Sequence, residues 1–341
     1  MKILFYCPSF YPKTGGLENV ASYLAKGLAH LGLEIRLITT TPLINNIPEL
    51  DVNYSIIRSN KKSVLFKNYL WCDIFFHHNV SLNGIWPYLF WPLKKWVVLH
   101  HLTYYNHQKI TFIEQVKRQL SRFAFNISCS SFVNSTLPKS GKVIFNAFDE
   151  NVFFNKWGVR VPYSIAFLGR LVSDKGCDLL INSFGEICKQ FPEKYLTLNI
   201  IGEGPDLDFL KEKVSENNLY QQVTFKGKLT GKSLNDELNL NQIMAIPSIW
   251  EEPFGIVCLE AIASSCIPVY SRGGGLVEAA GLIGKGFISG NQNSLTITLI
   301  EVIQEYEKFL HKLNLLKTEH LKKFNQAQIL DEFRKTLQSL I

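Results

Sequence analysis

The chain has 341 residues, of which 46% are hydrophobic and 19% are charged, a length and composition that predict a globular protein of two domains. Its seven cysteines are scattered singly without a Cys-x-x-Cys pair, which favours reduced thiols in the cytoplasm over a disulfide framework. The net charge is +7, and the positive excess lies in residues 1–155, which hold 16 Lys/Arg against 8 Asp/Glu. This half therefore suits an anionic substrate or an anionic membrane surface, whereas no motif favours nucleic acid.

The N-terminal half opens with the pattern of a parallel α/β domain. Ile3–Cys7 is typical of a short buried strand, Pro12–Gly16 of a loop, and Leu17–Leu31 of a helix, and a second strand follows at Ile35–Thr39. Strand-helix-strand order predicts a parallel sheet flanked by helices. The opening segment is too short and too broken by Pro8 for a signal peptide, and no apolar run reaches transmembrane length.

A glycine pair, Gly15 and Gly16, ends the first loop and precedes the first helix. Glycine has no Cβ, so the backbone at this helix start could approach a phosphate closely. The alternative is a tight turn that requires a positive φ, with Glu18 simply favouring the helix N-terminus. Both interpretations remain open from the residues alone.

A segment rich in aromatic residues, Gly84–Trp96, includes Lys94 and Lys95. It could dock on an anionic bilayer surface, or it could be a buried aromatic core with exposed lysines. The apolar residues that end it lead into His100 and His101, which follow a predicted strand. Two adjacent histidines leave open which of them faces a ligand.

The same strand-helix pattern restarts after Phe153 and predicts a second open sheet. Ligands of such sheets bind beyond the carboxyl ends of the strands. We place the domain boundary between residues 155 and 156, within Asn155–Gly158, and expect a final helix over 321–341. The predicted strands of this half are Ser164–Gly169, Leu196–Ile201, Val223–Phe225, Ile243–Ile246 and Ile267–Tyr270, and its first two helices are Asp178–Phe191 and Pro205–Val214.

Two loops of this half carry groups suited to a phosphorylated, hydroxyl-rich ligand. Gly169 ends a strand and is followed by Arg170 and Lys175. The planar guanidinium of arginine and the mobile ammonium of lysine both suit a diphosphate. Further along, Glu252 lies in a Pro-Phe-Gly loop and Glu260 lies about one turn inside the helix that follows. The first amides of that helix could therefore face the same ligand as both carboxylates.

Asp206 and Asp208 form an Asp-x-Asp pattern, which binds a metal ion in some other proteins. Here the two residues follow Gly204-Pro205 at a predicted helix start, where carboxylates interact favourably with the helix dipole. We therefore expect no metal and no cofactor.

The Glu252-x7-Glu260 spacing closely resembles the signature of retaining glycosyltransferases of the GT-B fold, family 4. Further similarities are the Gly-Arg-Leu…Lys-Gly pattern of residues 169–176, the Gly-Gly-x-Glu of 15–18, the Gly-x-Gly-Pro of 202–205 and the Gly-Gly-x-x-Glu ending at Glu278. The resemblance implies an α/β protein of the GT-B class, with two Rossmann-like domains that face each other across a cleft. It divides the chain into an acceptor-binding domain (1–155), a nucleotide-sugar-binding domain (156–320) and a C-terminal helix (321–341) that crosses back to the first.

The resemblance also assigns roles to individual residues. It implies that Glu252 contacts the donor sugar, that Arg170 and Lys175 neutralise the leaving diphosphate, and that Glu260 holds the ribose hydroxyls. The strand spacing usual in that family favours His101, with His100 second, as the histidine near the sugar. The remaining donor-binding residues would be Gly15, Gly16, Gly169, Gly202, Phe254, Gly255, Ile256 and Val257.

The expected activity is metal-independent transfer of a hexose, with retention, from a nucleotide diphosphate sugar to a hydroxyl of a glycan or lipid-linked acceptor. UDP-sugars are favoured as donors, and GDP-sugars are the alternative. A nucleotide-sugar epimerase or phosphorylase on the same fold, or a catalytically silent nucleotide-sugar-binding protein, remains open. The expected location is cytoplasmic, with peripheral contact to the inner face of the membrane through the basic N-terminal half.

Overall fold

The computed structural model describes residues 1–13, 15–43, 47–105, 110–156 and 158–341. The chain folds into two compact units: unit 1 comprises Met1–Ala147 and Gln326–Ile341, and unit 2 comprises Phe148–Asn325. Thr14 of the predicted first loop and Trp157 of the predicted boundary segment lie outside the described residues.

The predicted α/β class is confirmed, since each unit is built on a parallel sheet. Among the described residues, the sheet of unit 1 has the strand order β3-β2-β1-β4-β5-β6-β7, and that of unit 2 has the order β10-β9-β8-β11-β12-β13. The strands are β1 (Lys2–Tyr6), β2 (Glu34–Thr39), β3 (Ser55–Arg58), β4 (Ile74–His78), β5 (Lys95–His100), β6 (Phe125–Ser128), β7 (Lys142–Val143), β8 (Ser164–Leu168), β9 (Thr197–Ile201), β10 (Val223–Gly227), β11 (Ile243–Ile246), β12 (Ile267–Ser271) and β13 (Lys285–Phe287).

Helices connect most of the neighbouring strands, because parallel pairing needs crossover connections. Those described in the first half are α1 (Gly16–His30), α2 (Lys62–Trp71), α3 (Leu82–Phe90), α4 (Phe112–Leu120) and α5 (Ser131–Ser135). The second half contains α6 (Cys177–Gln190), α7 (Leu207–Glu216), α8 (Gly231–Leu240), α9 (Ile256–Ala263), α10 (Leu276–Ala280), α11 (Gln292–Gln304), α12 (Tyr306–Lys322) and α13 (Gln326–Gln338). Of the helices in the described ranges, none combines the length and the apolar character that a bilayer crossing requires.

The core of unit 1 includes one face of its sheet together with the inner sides of α2 and α3. Phe75 and Trp96 of the sheet meet Tyr69 of α2 and Ile85 of α3, and all four are buried. Leu120 at the end of α4 packs against the same cluster while remaining partly exposed. Since β4, β5 and β6 are adjacent and parallel, the helices that precede them lie side by side.

The junction between the units lies at Ala147–Phe148, earlier in the chain than the predicted boundary at 155/156. The segment that follows Ala147 is bonded into unit 2, because the Phe148 amide donates to the Phe324 carbonyl (3.2 Å) and the Phe154 amide to Asn235 Oδ1 (3.3 Å). Hydrogen bonds with distant residues therefore decide which unit this segment joins.

The expected helix over 321–341 is two helices with a break between them. α12 ends at Lys322, and the chain turns so that the Phe324 ring packs against His320 (5.1 Å) and Phe254 (5.7 Å). α13 then belongs to unit 1, where Leu330 lies against Gly27 of α1. A Cβ on Gly27 would lie 2.4 Å from the Leu330 side chain. Packing of this one ring interrupts an otherwise helical pattern.

Candidate functional site

The loop that follows β8 carries the predicted cations. Gly169 continues the strand by donating to the Ile201 carbonyl (3.1 Å), and a short 3₁₀ turn over Ser173–Lys175 leads into α6. Gly176 ends that turn with φ 66°, and a Cβ there would lie 2.1 Å from the Pro247 carbonyl oxygen. A side chain could not fit at this position, so glycine allows the loop to contact the loop that follows β11.

Hydrogen bonds hold the cation-bearing loop and the acidic loop together. The Asp174 carbonyl accepts from the amides of Ile249 (2.9 Å) and Trp250 (3.3 Å). The two loops follow adjacent parallel strands, β8 and β11, so both lie at the carboxyl edge of the sheet. Residues distant in sequence are thereby held side by side by the backbone alone.

Lys175 and Glu252 form an ion pair across these two loops. Only 18% of the Lys175 side chain and 15% of the Glu252 side chain are exposed, so solvent screens the pair less than it would screen a surface pair. Ser248, which is buried, also donates its hydroxyl to Glu252 Oε1 (2.7 Å). The carboxylate is therefore oriented by two donors before any ligand binds.

Neighbouring glycine loops pack closely on this pair of loops. A Cβ on Gly202, whose φ is 145°, would lie 1.8 Å from the Gly169 carbonyl oxygen. The amide of Gly275 donates to the Glu252 carbonyl (2.7 Å), and Gly274, with φ 58°, lies against the same oxygen. The loops after β8, β9, β11 and β12 thus form one continuous backbone surface.

Glu260 lies within α9, after Gly255 (φ 114°) has begun the helix. Burial raises the pKa of its carboxyl to about 7, and the negative charge of Asp149 adds to the rise. No described residue donates a hydrogen bond to this carboxyl, which leaves its oxygens available to a ligand hydroxyl. Phe254, just before the helix, is buried, whereas Ile256 and Val257 are half-buried at the helix start.

Arg170 lies in the same loop as Lys175 but in a different environment. Its side chain is exposed, and within the described part of the chain its guanidinium has no carboxylate or carbonyl partner. Asp206 and Asp208 lie at the start of α7, where Asp208 is almost fully exposed and faces Lys211 (3.8 Å). Among the described residues there is no group of three or more His, Cys, Asp or Glu side chains placed to hold a metal ion.

In unit 1, the glycine pair lies at the start of α1. Gly15 is the N-cap and has extended backbone (φ −174°), and neither glycine has a positive φ, so a tight turn is not the reason for the pair. A Cβ on Gly15 would lie 2.6 Å from the Glu18 carboxylate, which accepts from the Ser9 hydroxyl (2.5 Å). Gly15 leaves space for that carboxylate to fold back over the helix start.

The two adjacent histidines differ in how their rings are bonded. His100 is buried with both nitrogens occupied, one by Asn126 Oδ1 (2.9 Å) and the other by the Tyr104 hydroxyl (3.0 Å), and burial lowers its pKa to about 4. His101 is also buried, and burial lowers its pKa to about 3, but its Nε2 has no partner among the described residues. Its ring stacks on His78 at 5.6 Å with an interplanar angle of 9°. Of the two adjacent histidines, His101 is the one with a ring nitrogen that has no partner among the described residues.

The sequence analysis did not identify Ser248, His78 or the packing role of Gly176. Ser248 and Glu252 lie four residues apart in a loop, where no regular spacing marks one residue as the partner of the other. His78 ends β4 directly beside β5, but only the pairing of the two strands brings it to His101. Gly176 could have been recognised as a helix-start glycine, although its contact with Pro247 could not.

The second half of the chain is similar to known proteins. Residues 150–313 match the family described as glycosyl transferases group 1. An uncharacterized glycosyltransferase of Methanocaldococcus jannaschii is 31% identical over 192 residues, which cover 52% of this chain and 45% of that protein. Mannosylfructose-phosphate synthase of Agrobacterium fabrum is 36% identical over 118 residues, covering 33% and 26%. The chain thus spans less than half the length of these relatives.

Solved structures match the whole fold. The HepE protein of Anabaena in complex with UDP-glucose superposes with a TM-score of 0.82 at 20% identity, covering 99% of this chain and all of that one. Sucrose-phosphate synthase from Thermosynechococcus elongatus gives a TM-score of 0.81 at 17% identity, covering 99% and 97%. At these identities the likeness establishes the fold, two parallel α/β sheets of the GT-B type.

Proposed function

We propose that this chain transfers a hexose from a nucleotide diphosphate sugar to a hydroxyl acceptor, and the match of residues 150–313 to the glycosyl transferases group 1 family supports this. UDP-sugars are the favoured donors, because the similarly folded HepE protein is found with UDP-glucose, and GDP-sugars are the alternative. The observation that carries the proposal is the ion pair between Lys175 and Glu252 at the carboxyl edge of the second sheet.

The cations of the proposed site would act on the leaving group. As the glycosidic bond stretches, negative charge develops on the diphosphate, and Arg170 and Lys175 would stabilise it. Arg170 is exposed and unpaired within the described residues, so its guanidinium can bind an anion without first giving up a partner. Lys175 would remain close to Glu252 and form a bridge between the sugar end and the phosphate end of the donor.

The acidic residues would hold the two ends of the donor. Glu252, oriented by Lys175 and Ser248, would accept hydrogen bonds from sugar hydroxyls. Glu260 would accept from the ribose diol, and it does so best when ionised. The first amides of α9 at Ile256 and Val257 lack carbonyl partners within the helix by its geometry and suit a phosphate oxygen. Gly169 and Gly202 would contact the donor through their backbone, and the absence of a Cβ on Gly202 lets the loops after β8 and β9 pack directly together.

The proposed reaction retains the configuration of the sugar and needs no protein nucleophile. The acceptor hydroxyl would attack the face that the diphosphate leaves, and a phosphate oxygen would take its proton. No metal is needed in this scheme, because Arg170 and Lys175 supply the positive charge. Addition of EDTA should therefore leave the transfer rate unchanged.

Unit 1 is proposed to bind the acceptor, a glycan or lipid-linked hydroxyl. Gly15 and Gly16 at the start of α1 are proposed to contact the donor, and His101, whose Nε2 has no partner among the described residues, would hydrogen-bond a sugar hydroxyl. His100 is a structural residue in this proposal, since Asn126 and Tyr104 occupy both of its nitrogens.

The test is a screen of UDP-, GDP- and ADP-sugars for slow release of free sugar without an acceptor, followed by NMR of the anomeric configuration of the product. Release of one sugar by the natural chain, and its loss in Arg170→Ala, is the expected result. Isomerised sugar without release would indicate an epimerase, phosphate-dependent release would indicate a phosphorylase, and binding without turnover would indicate a silent protein. Each of these three outcomes would overturn the proposal.

A further inference from the structure

Three connections of unit 1 lie side by side at the amino edge of its sheet. α2 leads into β4, α3 into β5, and a 3₁₀ turn over Ser121–Phe123 leads towards β6. Since β4, β5 and β6 are adjacent and parallel, the residues just before them occupy one end of the unit. This end is opposite to the carboxyl edge, where His101 lies.

The outer side of these connections is apolar. Phe90 is 72% exposed, Leu93 is 75% exposed and Phe123 is 70% exposed. Single exposed apolar residues are ordinary, but several on adjacent connections form a surface that a partner usually covers. We name this surface the amino-edge patch, which consists of Leu70, Leu89, Phe90, Trp91, Leu93 and Phe123.

Contacts hold the patch in place from beneath. The Tyr69 hydroxyl of α2 donates to the Trp91 carbonyl, and the Tyr88 hydroxyl of α3 donates to the Phe123 carbonyl (3.3 Å). The Phe66 ring of α2 packs against the Trp91 ring at 5.3 Å. The exposed side chains therefore project from an ordered base, and little entropy is lost when a partner covers them.

The charges around the patch are mostly positive. Lys67, Lys94, Lys95 and Arg122 flank the apolar side chains, and none of them forms an ion pair within the described ranges. Asp73 is the one carboxylate in the sequence from residue 61 to residue 113, and it accepts from the backbone amide of Lys2 (2.8 Å). Exposed aromatic and aliphatic side chains ringed by unpaired cations match the headgroup boundary of an anionic bilayer.

We propose that the amino-edge patch docks unit 1 onto an anionic lipid bilayer. A second copy of the chain fits less well, because a two-fold contact through the patch would bring its cations against the same cations of the other copy. Lysine is also depleted in the cores of protein interfaces, whereas tryptophan flanked by lysine is common at membrane surfaces. Docking of this kind deepens the proposed function and rests on it in one respect, namely that a lipid-linked acceptor is reached at a bilayer.

The experiment is co-sedimentation of the full chain with phosphatidylcholine vesicles, with and without added phosphatidylglycerol. We expect binding only to the anionic vesicles. Two double variants test the patch, one with Phe90→Ser and Leu93→Ser and the other with Lys94→Glu and Lys95→Glu. Each should bind the anionic vesicles at least about tenfold more weakly than the natural chain does. Matched controls come from α12 of unit 2.

The controls are Leu315→Ser, at a side chain that is 72% exposed, and Lys312→Glu, which is also exposed. Both should sediment like the natural chain. Because vesicle binding is measured without a sugar donor, a failure of the proposed glycosyl transfer would leave this result unchanged. Conversely, release of sugar from the donor in vesicle-free solution should be the same in the patch variants as in the natural chain.

Three results would overturn the docking proposal. The first is equal binding to neutral and anionic vesicles, and the second is unchanged binding by both patch variants. The third is a dimer in light scattering that dissociates in the Phe90→Ser, Leu93→Ser variant, which would show that a second copy covers the patch.

Discussion

Replacing Glu260 by glutamine tests the electrostatics of the proposed donor site without any substrate. Burial and Asp149 raise the pKa of this carboxyl from 4.5 to about 7 in the folded protein. Between these two pH values the folded chain binds more protons than the unfolded chain, so ionisation of Glu260 lowers stability as pH rises through this window. At about 1.4 kcal/mol per pKa unit, the full cost above pH 7 is about 3 kcal/mol.

Glu260→Gln removes that cost, because the amide has nearly the same shape and no charge. In a unit of this size, about 3 kcal/mol corresponds to a gain in Tm of roughly 6–12 °C at pH 8. At pH 4.5, where the natural carboxyl is already protonated, the gain should vanish. The measurement is differential scanning calorimetry of both proteins at several pH values across this window.

Two further variants sharpen the experiment. Glu251 is exposed and next to the loop, so Glu251→Gln should leave Tm unchanged at both ends of the window. Asp149→Asn removes the negative charge that contributes to the raised pKa and should reduce the gain from Glu260→Gln. If Glu260→Gln leaves Tm at pH 8 unchanged, or raises it equally at pH 4.5 and pH 8, the reasoning about this carboxyl is wrong.

Three other substitutions have outcomes that follow from the contacts of each residue. Arg170→Ala should lower kcat about 100- to 1000-fold and leave Tm unchanged, because its guanidinium is exposed and unpaired within the described residues; an unaltered kcat in a donor-hydrolysis assay would exclude the diphosphate role. Gly176→Ala should destabilise the chain by at least about 2 kcal/mol in urea unfolding, since its Cβ would clash with the Pro247 carbonyl oxygen. Arg160→Ala should cost about 2–4 kcal/mol in the same assay, because the guanidinium donates to carbonyls at the ends of α8 and α9, and a cost below about 1 kcal/mol would contradict this role.

Local patterns in the sequence were sufficient for most of the second unit. The strand predicted at Ile243–Ile246 has those bounds in the structure, and the helix predicted at Asp178–Phe191 lies at Cys177–Gln190. Apolar runs and helical spacing depend on a residue's near neighbours, and so they can be read from a short window. The break between α12 and α13 was missed because it depends on Phe324 packing against a residue far away in the chain.

The positions of the candidate residues on loops after strands were also predictable. Gly169, Arg170 and Lys175 follow a buried strand, and parallel strands carry their functional loops at one edge. The partners of those residues were not predictable. That Lys175 pairs with Glu252 rather than binding solvent, and that Ser248 joins them, depends on the approach of two loops through Gly176.

The sequence by itself determined the alternation of strands and helices, the glycine loops and the choice of charged residues, since each is a property of a short stretch of chain. The tertiary structure decided which of two adjacent histidines has a ring nitrogen without a partner in the described part of the chain, which apolar side chains of the aromatic segment face outward, and how far burial raises the pKa of Glu260. Those outcomes depend on solvent exclusion and on partners distant in sequence, which exist only once the sheets have formed.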